Sequence, residues 1–171
     1  MAEMEAGEHM ARVVIVADTH IPKAAPGLSR KLLEAFQGAD LILHAGDLIV
    51  LSVLDELRSL APTAAVAGNM DRPQVNAVLP EKRVLEVEGK LIGIIHGWGP
   101  PVGIERRVLS RFSGVDAVVF GHTHKPLVEW RKGVLLLNPG TPNDRRFSKR
   151  LSYATLEIVD GELKPEIIWL D

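Results

Sequence analysis

The stretch Ala117-Val118-Val119-Phe120-Gly121-His122-Thr123-His124 joins a continuous apolar run to a pair of histidines. Four consecutive apolar residues predict a buried strand, and Gly121 ends it. In open α/β sheets, ligands bind at the edge formed by the carboxyl ends of the strands. Neutral imidazole is the commonest metal-binding side chain, so His122 and His124 are candidate ligands at that edge. Taken alone, the same pattern is also typical of a polar turn that closes a strand.

The composition is that of an ordinary globular protein and excludes several classes of chemistry. The chain has 171 residues, of which 46% are hydrophobic and 25% are charged, a length that suits one domain. Its formal net charge of -2 argues against a general affinity for nucleic acid. Because there is no cysteine, thiolate catalysis and zinc-thiolate sites are excluded. A metal site would have to use nitrogen and oxygen ligands.

The beginning of the chain reads as a short tail. Residues Met1–His9 are acidic and lack the basic and apolar regions of a signal peptide, and His9 is expected to be solvated. No run approaches the ~18 to 20 apolar residues of a membrane span. We therefore expect a cytoplasmic protein with no membrane association, organised as a tail over residues 1–11 and a single domain over residues 12–171.

The first half of the chain predicts strands that alternate with helices. Buried strands are expected at Arg12–Ala17, Leu41–Ala45 and Thr63–Ala67, with helices at Ser29–Phe36 and Ser52–Leu60. Each strand is followed by polar residues, and the carboxyl ends of such strands meet at one edge of a sheet. These endings are Asp18-Thr19-His20, Gly46-Asp47 and Gly68-Asn69.

The second half predicts antiparallel hairpins around one further helix, Ile104–Phe112. The hairpins join Arg83–Val87 to Leu91–Ile95, Leu127–Trp130 to Val134–Leu137, and Tyr153–Val159 to Leu163–Trp169. Parallel units followed by hairpins indicate an α/β fold. In this fold two mixed β-sheets pack face to face, with helices on the outer faces.

Five strand ends thus carry metal-ligand types, often beside a glycine, and folding needs alone do not explain this pattern. The set is Asp18 and His20, Asp47, Asn69, His96, and His122 with His124. Two divalent ions ~3.5 to 4 Å apart could activate water and polarise a phosphoryl group, and they require a shared ligand. Asp47 is the candidate for that shared carboxylate.

From about Arg12 to Gly140 the chain resembles the calcineurin-like metallophosphoesterase superfamily, in particular its small single-domain phosphodiesterase branch. The resemblance implies a four-layer α/β/β/α sandwich. It also implies one ion held by Asp18, His20 and His124, a second held by Asn69, His96 and His122, and Asp47 bridging both. Asp47, Asn69 and His96 would then be catalytic, together with a hydroxide that bridges the metals. Manganese is the first choice of ion, with iron, nickel, zinc and cobalt as alternatives.

The function implied is a divalent-metal-dependent phosphodiesterase that hydrolyses a phosphodiester or a related small phosphate compound. Two alternatives stay open. One is a phosphomonoesterase, and the other is a protein-interaction scaffold of the retromer-subunit type with the same fold. The expected partner is a small phosphodiester substrate, and association into a homo-oligomer is also left open.

Several residues bear on the substrate. Asn69, Trp98, Arg145 and Arg146 are candidate substrate contacts, although the basic run that contains both arginines also suits a solvated loop. Trp98 stands where the family often has a histidine, and its ring could stack on a base or an aromatic leaving group. Met70 replaces the histidine by which larger phosphatases of the family protonate the leaving group. His44 is expected to form a hydrogen bond in the core or behind the metal ligands.

Overall fold

The structure is a computed structural model that describes residues 10–171, and within them it contains ten strands and four helices. The strands are β1 (Met10–Val16), β2 (Leu41–His44), β3 (Thr63–Ala65), β4 (Lys82–Val87), β5 (Lys90–Ile95), β6 (Ala117–Val119), β7 (Leu127–Arg131), β8 (Val134–Asn138), β9 (Ser152–Val159) and β10 (Glu162–Trp169). The helices are α1 (Arg30–Phe36), α2 (Leu51–Arg58), α3 (Pro73–Asn76) and α4 (Ile104–Leu109).

Both sheets are mixed, as the sequence predicted. The first has the order β10-β9-β1-β2-β3, in which β1, β2 and β3 are parallel and β9 runs antiparallel to β1. The second has the order β4-β5-β6-β8-β7, in which β5, β6 and β8 are parallel. The carboxyl ends of β1, β2 and β3 and those of β5, β6 and β8 are the ends that carry the polar residues.

The main core lies between the two sheets. Along β1, Val13 and Ile15 belong to this core, whereas Val14 and Val16 belong to a second cluster on the outer face. The second sheet contributes Ile92, Val119 and Leu137 to the main core. This alternation follows the two-residue period of a strand, so the apolar run of β1 fills two different layers.

Helices cover the outer faces. Leu32 and Phe36 of α1, with Leu54 and Leu57 of α2, pack with Val14, Val16 and Ile42 of the first sheet. On the second sheet, Ile104 and Val108 of α4 pack with Val118 and Leu136. The predicted four-layer α/β/β/α arrangement is therefore confirmed.

Local boundaries differ from the sequence prediction at a few points. The one-turn helix α3 was not predicted, because four residues are too short to show a helical period. β3 ends at Ala65, two residues early, since the Ala67 amide donates to Pro80 O (2.9 Å) rather than to the neighbouring strand. β1 begins at Met10, two residues before Arg12, where the first strand was expected.

The rest of the predicted tail, Met1–His9 including His9, lies outside the described residues. Within residues 10–171, no helix has the length and apolar character needed to cross a membrane.

Candidate metal centre

Asp18 lies at the centre of the predicted ligand cluster. Its Oδ1 atom is 3.6 Å from His20 Nε2, 3.7 Å from His96 Nε2 and 3.3 Å from His124 Nε2. All four side chains are buried, and they come from the ends of three strands in two different sheets. The packing of the two sheets therefore brings together ligand types that are up to 106 residues apart in the chain.

Asp47 lies between histidines of both predicted sets. Its Oδ2 atom is 3.2 Å from His20 Nε2 and 3.2 Å from His96 Nε2. Its other oxygen, Oδ1, accepts a hydrogen bond from the Met70 amide at 2.7 Å. A carboxylate that is shared between two ions would have to lie in this position, between histidines of both sets.

The backbone around the ligands adopts a conformation that L-residues seldom use. Asp18, His20, Asp47, His122 and His124 have φ angles of 54°, 48°, 58°, 72° and 59°. Left-handed non-glycine residues cost free energy and cluster at functional sites. These left-handed residues follow the strands at the positions where the ligand side chains meet. The backbone at this edge of the sheets is therefore strained.

The glycines beside the ligands allow a close approach of chains. A Cβ atom on Gly68 would overlap Asp47 Oδ1, and one on Gly121 would lie 2.7 Å from Asp18 Oδ2. The same Asp18 oxygen accepts a hydrogen bond from the His122 amide at 3.0 Å. These contacts explain the recurring glycines, because any side chain there would displace a carboxylate.

The electrostatics of the cluster join buried carboxylates to buried imidazoles. Burial favours the neutral form of Asp18, but the His96 charge and hydrogen bonds with His124 and His20 outweigh it and lower the pKa of Asp18 to about 2. Burial raises the pKa of Asp47, yet its contacts with His20 and His96 hold that pKa well below the usual range.

The pKa values of the histidines shift in the opposite direction. Burial lowers the pKa of His20, but hydrogen bonds with Asp18 and Asp47 raise it to about 9. Burial also lowers the pKa of His96, and the Asp18 charge with the Asp47 contact raises it to about 9. In the metal-free protein, the negative charges of Asp18 and Asp47 are therefore balanced by the protonated rings of His20 and His96, and a bound cation could replace those protons.

Three buried atoms of the cluster, Asp18 Oδ1, His96 Nε2 and His124 Nδ1, make no hydrogen bond of good geometry within residues 10–171, although charged groups lie nearby. The first two lie 3.7 Å apart at the centre of the cluster. The other ring nitrogen of His96, Nδ1, donates to Ala45 O at 2.7 Å, which directs Nε2 towards the carboxylates. Buried polar atoms are nearly always satisfied, so these two atoms fit a bound cation with nitrogen and oxygen ligands.

Two compact groups of residues could each hold one ion. They are Asp18 with His20 and His124, and Asp18 with Asp47 and His96. The first group matches the predicted first set. The second contains Asp47 and His96 as predicted, but Asp18 joins it and His122 does not.

His122 instead contacts Asn69. His122 Nδ1 lies 3.2 Å from Asn69 Oδ1, and His122 Nε2 donates to Gly99 O at 2.9 Å. The ring of His122 meets the ring of His96 edge to face, with centroids 5.3 Å apart. Asn69 and His122 therefore border the second group without completing it.

Asp144 is a buried carboxylate beside the cluster that the sequence did not single out. It is buried in the loop after β8, and its Oδ2 lies 3.2 Å from His20 Nδ1 and 3.9 Å from His124 Nδ1. Arg146 binds both oxygens of this carboxylate. Burial raises the pKa of Asp144, but the hydrogen bonds from Arg146 outweigh this effect, so the pKa is lowered. In the sequence, Asp144 follows a strand that was predicted only as part of a hairpin, and its parallel pairing with β6 brings its carboxyl end to the same edge.

Asp71 is a second carboxylate behind the ligands. Its oxygens accept hydrogen bonds from the amides of Asp47 (3.1 Å), Ile49 (2.6 Å) and Gly68 (2.7 Å). It thereby joins the loops that follow β2 and β3 and fixes the Asp47 backbone.

His44 has the core role expected from the sequence. Its Nδ1 accepts from the Gly46 amide at 3.2 Å, so Nε2 carries the hydrogen and donates to Thr19 Oγ1 at 3.0 Å. Burial lowers the pKa of His44 to about 4, which keeps the ring neutral. His44 thus connects the loops that carry Asp18 and Asp47.

A cleft of about 530 Å³ opens above the cluster. Its cationic wall consists of Lys23, Lys125 and Arg146, and Met70 and Phe147 are the exposed apolar residues. The remaining lining includes His20, Asp47, Asn69, His122 and His124. An anionic ligand of small size fits both the charge and the position of this cleft.

The candidate substrate contacts fall in different places. Arg146 and Asn69 line the cleft. Arg145 does not line the cleft, and its guanidinium binds Lys149 O (2.9 Å) and the Asp171 carboxylate, so its role as a substrate contact stays a prediction. Trp98 lines an adjacent pocket that also contains Asn69 and His96.

Comparison with known proteins agrees with this geometry. Residues 11–161 match the calcineurin-like phosphoesterase superfamily domain. The chain belongs to this superfamily of metal-dependent enzymes and is a hydrolase that acts on ester bonds.

Two curated relatives come from archaea. A probable metallophosphoesterase of Methanothermobacter thermautotrophicus is 39% identical over 156 residues, which cover 90% of each chain. A phosphodiesterase of Methanocaldococcus jannaschii is 28% identical over 143 residues, covering 75% of this chain and 82% of the relative.

Two solved structures share the fold. Vacuolar protein sorting 29 of Cryptosporidium parvum superposes with a TM-score of 0.75 at 24% identity, covering 95% of this chain and 99% of that one. Vps29 of Entamoeba histolytica complexed with zinc gives a TM-score of 0.66 at 26% identity, covering 94% and 99%.

Proposed function

We propose that this chain is a phosphodiesterase that uses two divalent metal ions, with manganese as the first choice. Asp18, His20 and His124 would hold one ion, and Asn69, His96 and His122 the other, with Asp47 between them. The observation that carries the proposal is the pair of buried atoms without a hydrogen bond of good geometry, Asp18 Oδ1 and His96 Nε2, in a cluster of nitrogen and oxygen donors. The archaeal relative named a phosphodiesterase supports the same class.

The ions, when bound, would supply an activated water near neutral pH and polarise the phosphoryl oxygens. The protein supplies their position. Asp71 fixes the Asp47 backbone, Ala45 O orients His96, and Asp144 faces the outer nitrogen of His20. Ligands held in this way lose little freedom when an ion binds.

The cleft residues would bind and orient the substrate. Lys23, Lys125 and Arg146 offer positive charge to the phosphate group, and Asn69 stands beside the ligands with an amide that can donate. Met70, which is 39% exposed in the cleft, cannot act as the general acid in place of the missing histidine, because a thioether has no proton to donate.

This arrangement favours a diester over a monoester. A diester carries less negative charge than a monoester, so it is repelled less by an anionic nucleophile. Without a proton donor at Met70, substrates whose leaving groups have low pKa should react best. We therefore expect activated aryl diesters to be the fastest substrates.

The test is hydrolysis of bis(4-nitrophenyl) phosphate and 4-nitrophenyl phosphate by protein stripped of metal and reloaded with each ion in turn. Two metal equivalents and a higher kcat/KM for the diester support the proposal. Asp47→Asn should abolish activity and reduce the metal content, whereas the exposed Asp160→Asn makes the same chemical change without effect. A monoester that is the better substrate of the parent would contradict the diesterase assignment.

The scaffold alternative keeps one specific observation in its favour, the likeness to the two Vps29 folds. A scaffold would bind metal without hydrolysing any ester. Loaded protein with two metal equivalents and no measurable turnover of either substrate would favour that alternative.

A further inference from the structure

Two pockets meet at the predicted ligands, and Asn69 lines both of them. The cleft above the cluster contains His20, Asp47, His122 and His124, whereas the adjacent pocket of about 360 Å³ contains His96. A phosphate placed beside Asn69 would therefore have space on either side. A phosphodiester has two ester groups, and a monoester has only one.

The two pockets differ in charge. The cleft offers the cationic side chains of Lys23 and Lys125, together with Arg146, which is paired with Asp144. The adjacent pocket has the apolar side chains of Leu79, Ile95 and Trp98, and its polar members besides Asn69 and His96 of the ligand cluster are Asn76 and Glu81. Glu81 is paired with the Arg111 guanidinium at 3.0 Å, so the pocket has little free charge outside the ligand cluster.

Trp98 lines the adjacent pocket, and Arg107 holds its backbone in place. Its carbonyl oxygen accepts two hydrogen bonds from Arg107, from Nε at 3.0 Å and from Nη2 at 2.8 Å. The Arg111 guanidinium lies 5.5 Å from the ring centroid. The residue is nevertheless 40% exposed, so the ring retains surface on which a flat group can stack.

The two polar members that lie outside the ligand cluster already have partners. Asn76 Nδ2 donates to Asp71 O at 3.2 Å, and Glu81 binds Arg111. Away from Asn69 and His96, a ligand group there would meet a tryptophan ring and aliphatic side chains rather than free charges. A neutral, planar ring suits that surface, because stacking on an aromatic side chain depends on the face of the ring.

We propose that the substrate is an asymmetric phosphodiester with one neutral aromatic group, such as a nucleobase or an aryl ring, in the Trp98 pocket. Its other, more polar or anionic group lies in the basic cleft. This inference rests on the proposed function, and it adds the chemical class of both ester groups. Trp98 is then a residue that determines specificity.

The test compares two diesters that share one leaving group, bis(4-nitrophenyl) phosphate and methyl 4-nitrophenyl phosphate. In the manganese-loaded parent, the second aryl ring should give a KM about tenfold below that of the methyl compound. Trp98→Ala should bring the ratio of the two KM values close to one, and Trp98→Phe should preserve most of it. Trp130→Ala, which removes an exposed tryptophan from β7, is the matched control.

A second measurement does not depend on turnover. Calorimetric titration with diphenyl phosphate and dimethyl phosphate should show tighter binding of the aryl compound by the parent, and loss of that difference in Trp98→Ala. Thermal unfolding of each variant verifies that it is folded.

The outcomes separate the two proposals. Hydrolysis of both diesters with a KM ratio that Trp98→Ala leaves unchanged overturns the assignment of the aromatic pocket and leaves the phosphodiesterase intact. Failure of the loaded parent to hydrolyse either diester overturns the proposed function itself.

Discussion

Asp144 Oδ2 lies 3.2 Å from His20 Nδ1, on the side of the ring that faces away from Asp18 and Asp47. When His20 Nε2 binds a cation, Nδ1 carries the hydrogen and needs an acceptor. The neighbouring Arg146 guanidinium has no acceptor, so Asp144 takes that hydrogen bond. We expect Asp144→Asn to weaken binding of one of the two ions by roughly 10 to 100-fold.

Calorimetric titration of metal-free protein with manganese measures this effect directly. Asp160→Asn, an exposed change in the β9–β10 turn, is the control. If the variant lost the same affinity for both ions, Asp144 would be stabilising the whole ligand cluster, and not specifically the ion held by His20 and His124.

Metal binding should release protons. His20 and His96 have pKa values of about 9 in the protein alone, so both are protonated at neutral pH. A metal ion requires their neutral form, and its apparent affinity should therefore rise between pH 6.5 and 9. Titrations at one pH in buffers with different ionisation enthalpies give the number of protons released. A binding enthalpy that is independent of the buffer would contradict the protonated state.

The metal-free protein should be most stable near pH 6.5. The pKa values of His20 and His96 are raised above the unfolded value, so their contribution is complete below pH 6.5 and is lost as pH rises towards 9. His44 has a lowered pKa of about 4, so its contribution is lost as pH falls from 6.5 towards 4. Urea unfolding at several pH values in the presence of chelator measures this maximum.

His44→Asn should change how the stability of the metal-free protein depends on pH below 6.5. The variant removes the hydrogen bond to Thr19 Oγ1 and should cost about 1 to 3 kcal/mol in the free energy of unfolding at pH 7. It also removes the buried imidazole that gains a proton on unfolding, so stability should fall less between pH 6.5 and 4 than in the parent. An unchanged acid slope would show that another group controls it.

Met70→His should raise hydrolysis of 4-nitrophenyl phosphate relative to that of the bis compound. An imidazole in the cleft can donate a proton to the leaving group, an effect that is limited to ~10²-fold or less here. Asp71 cannot orient that ring, since its oxygens bind three backbone amides. Met70→Leu, which has no proton to donate, is the control. The ratio of the two activities should rise in the histidine variant alone.

The succession of strands along the chain and the residues at their ends could be predicted from local sequence patterns. Of the fourteen helices and strands that the structure describes in residues 10–171, thirteen were expected, and the omission was α3, a single turn. Alternation of Val13, Val14, Ile15 and Val16 between two clusters follows from strand geometry once both faces are known to be covered. The position of Arg145 could not be predicted, because its partners Lys149 O and Asp171 are set by the path of a loop.

The sequence by itself determined which residue types follow each parallel strand, since periodicity and glycine placement are local properties. Tertiary structure decided which of those residues touch. Asp18 reaches His96 because two sheets pack face to face, and Asp144 reaches His20 because β8 runs parallel to β6. Distances between groups so far apart in the chain depend on the packing of the whole core, which no local pattern specifies.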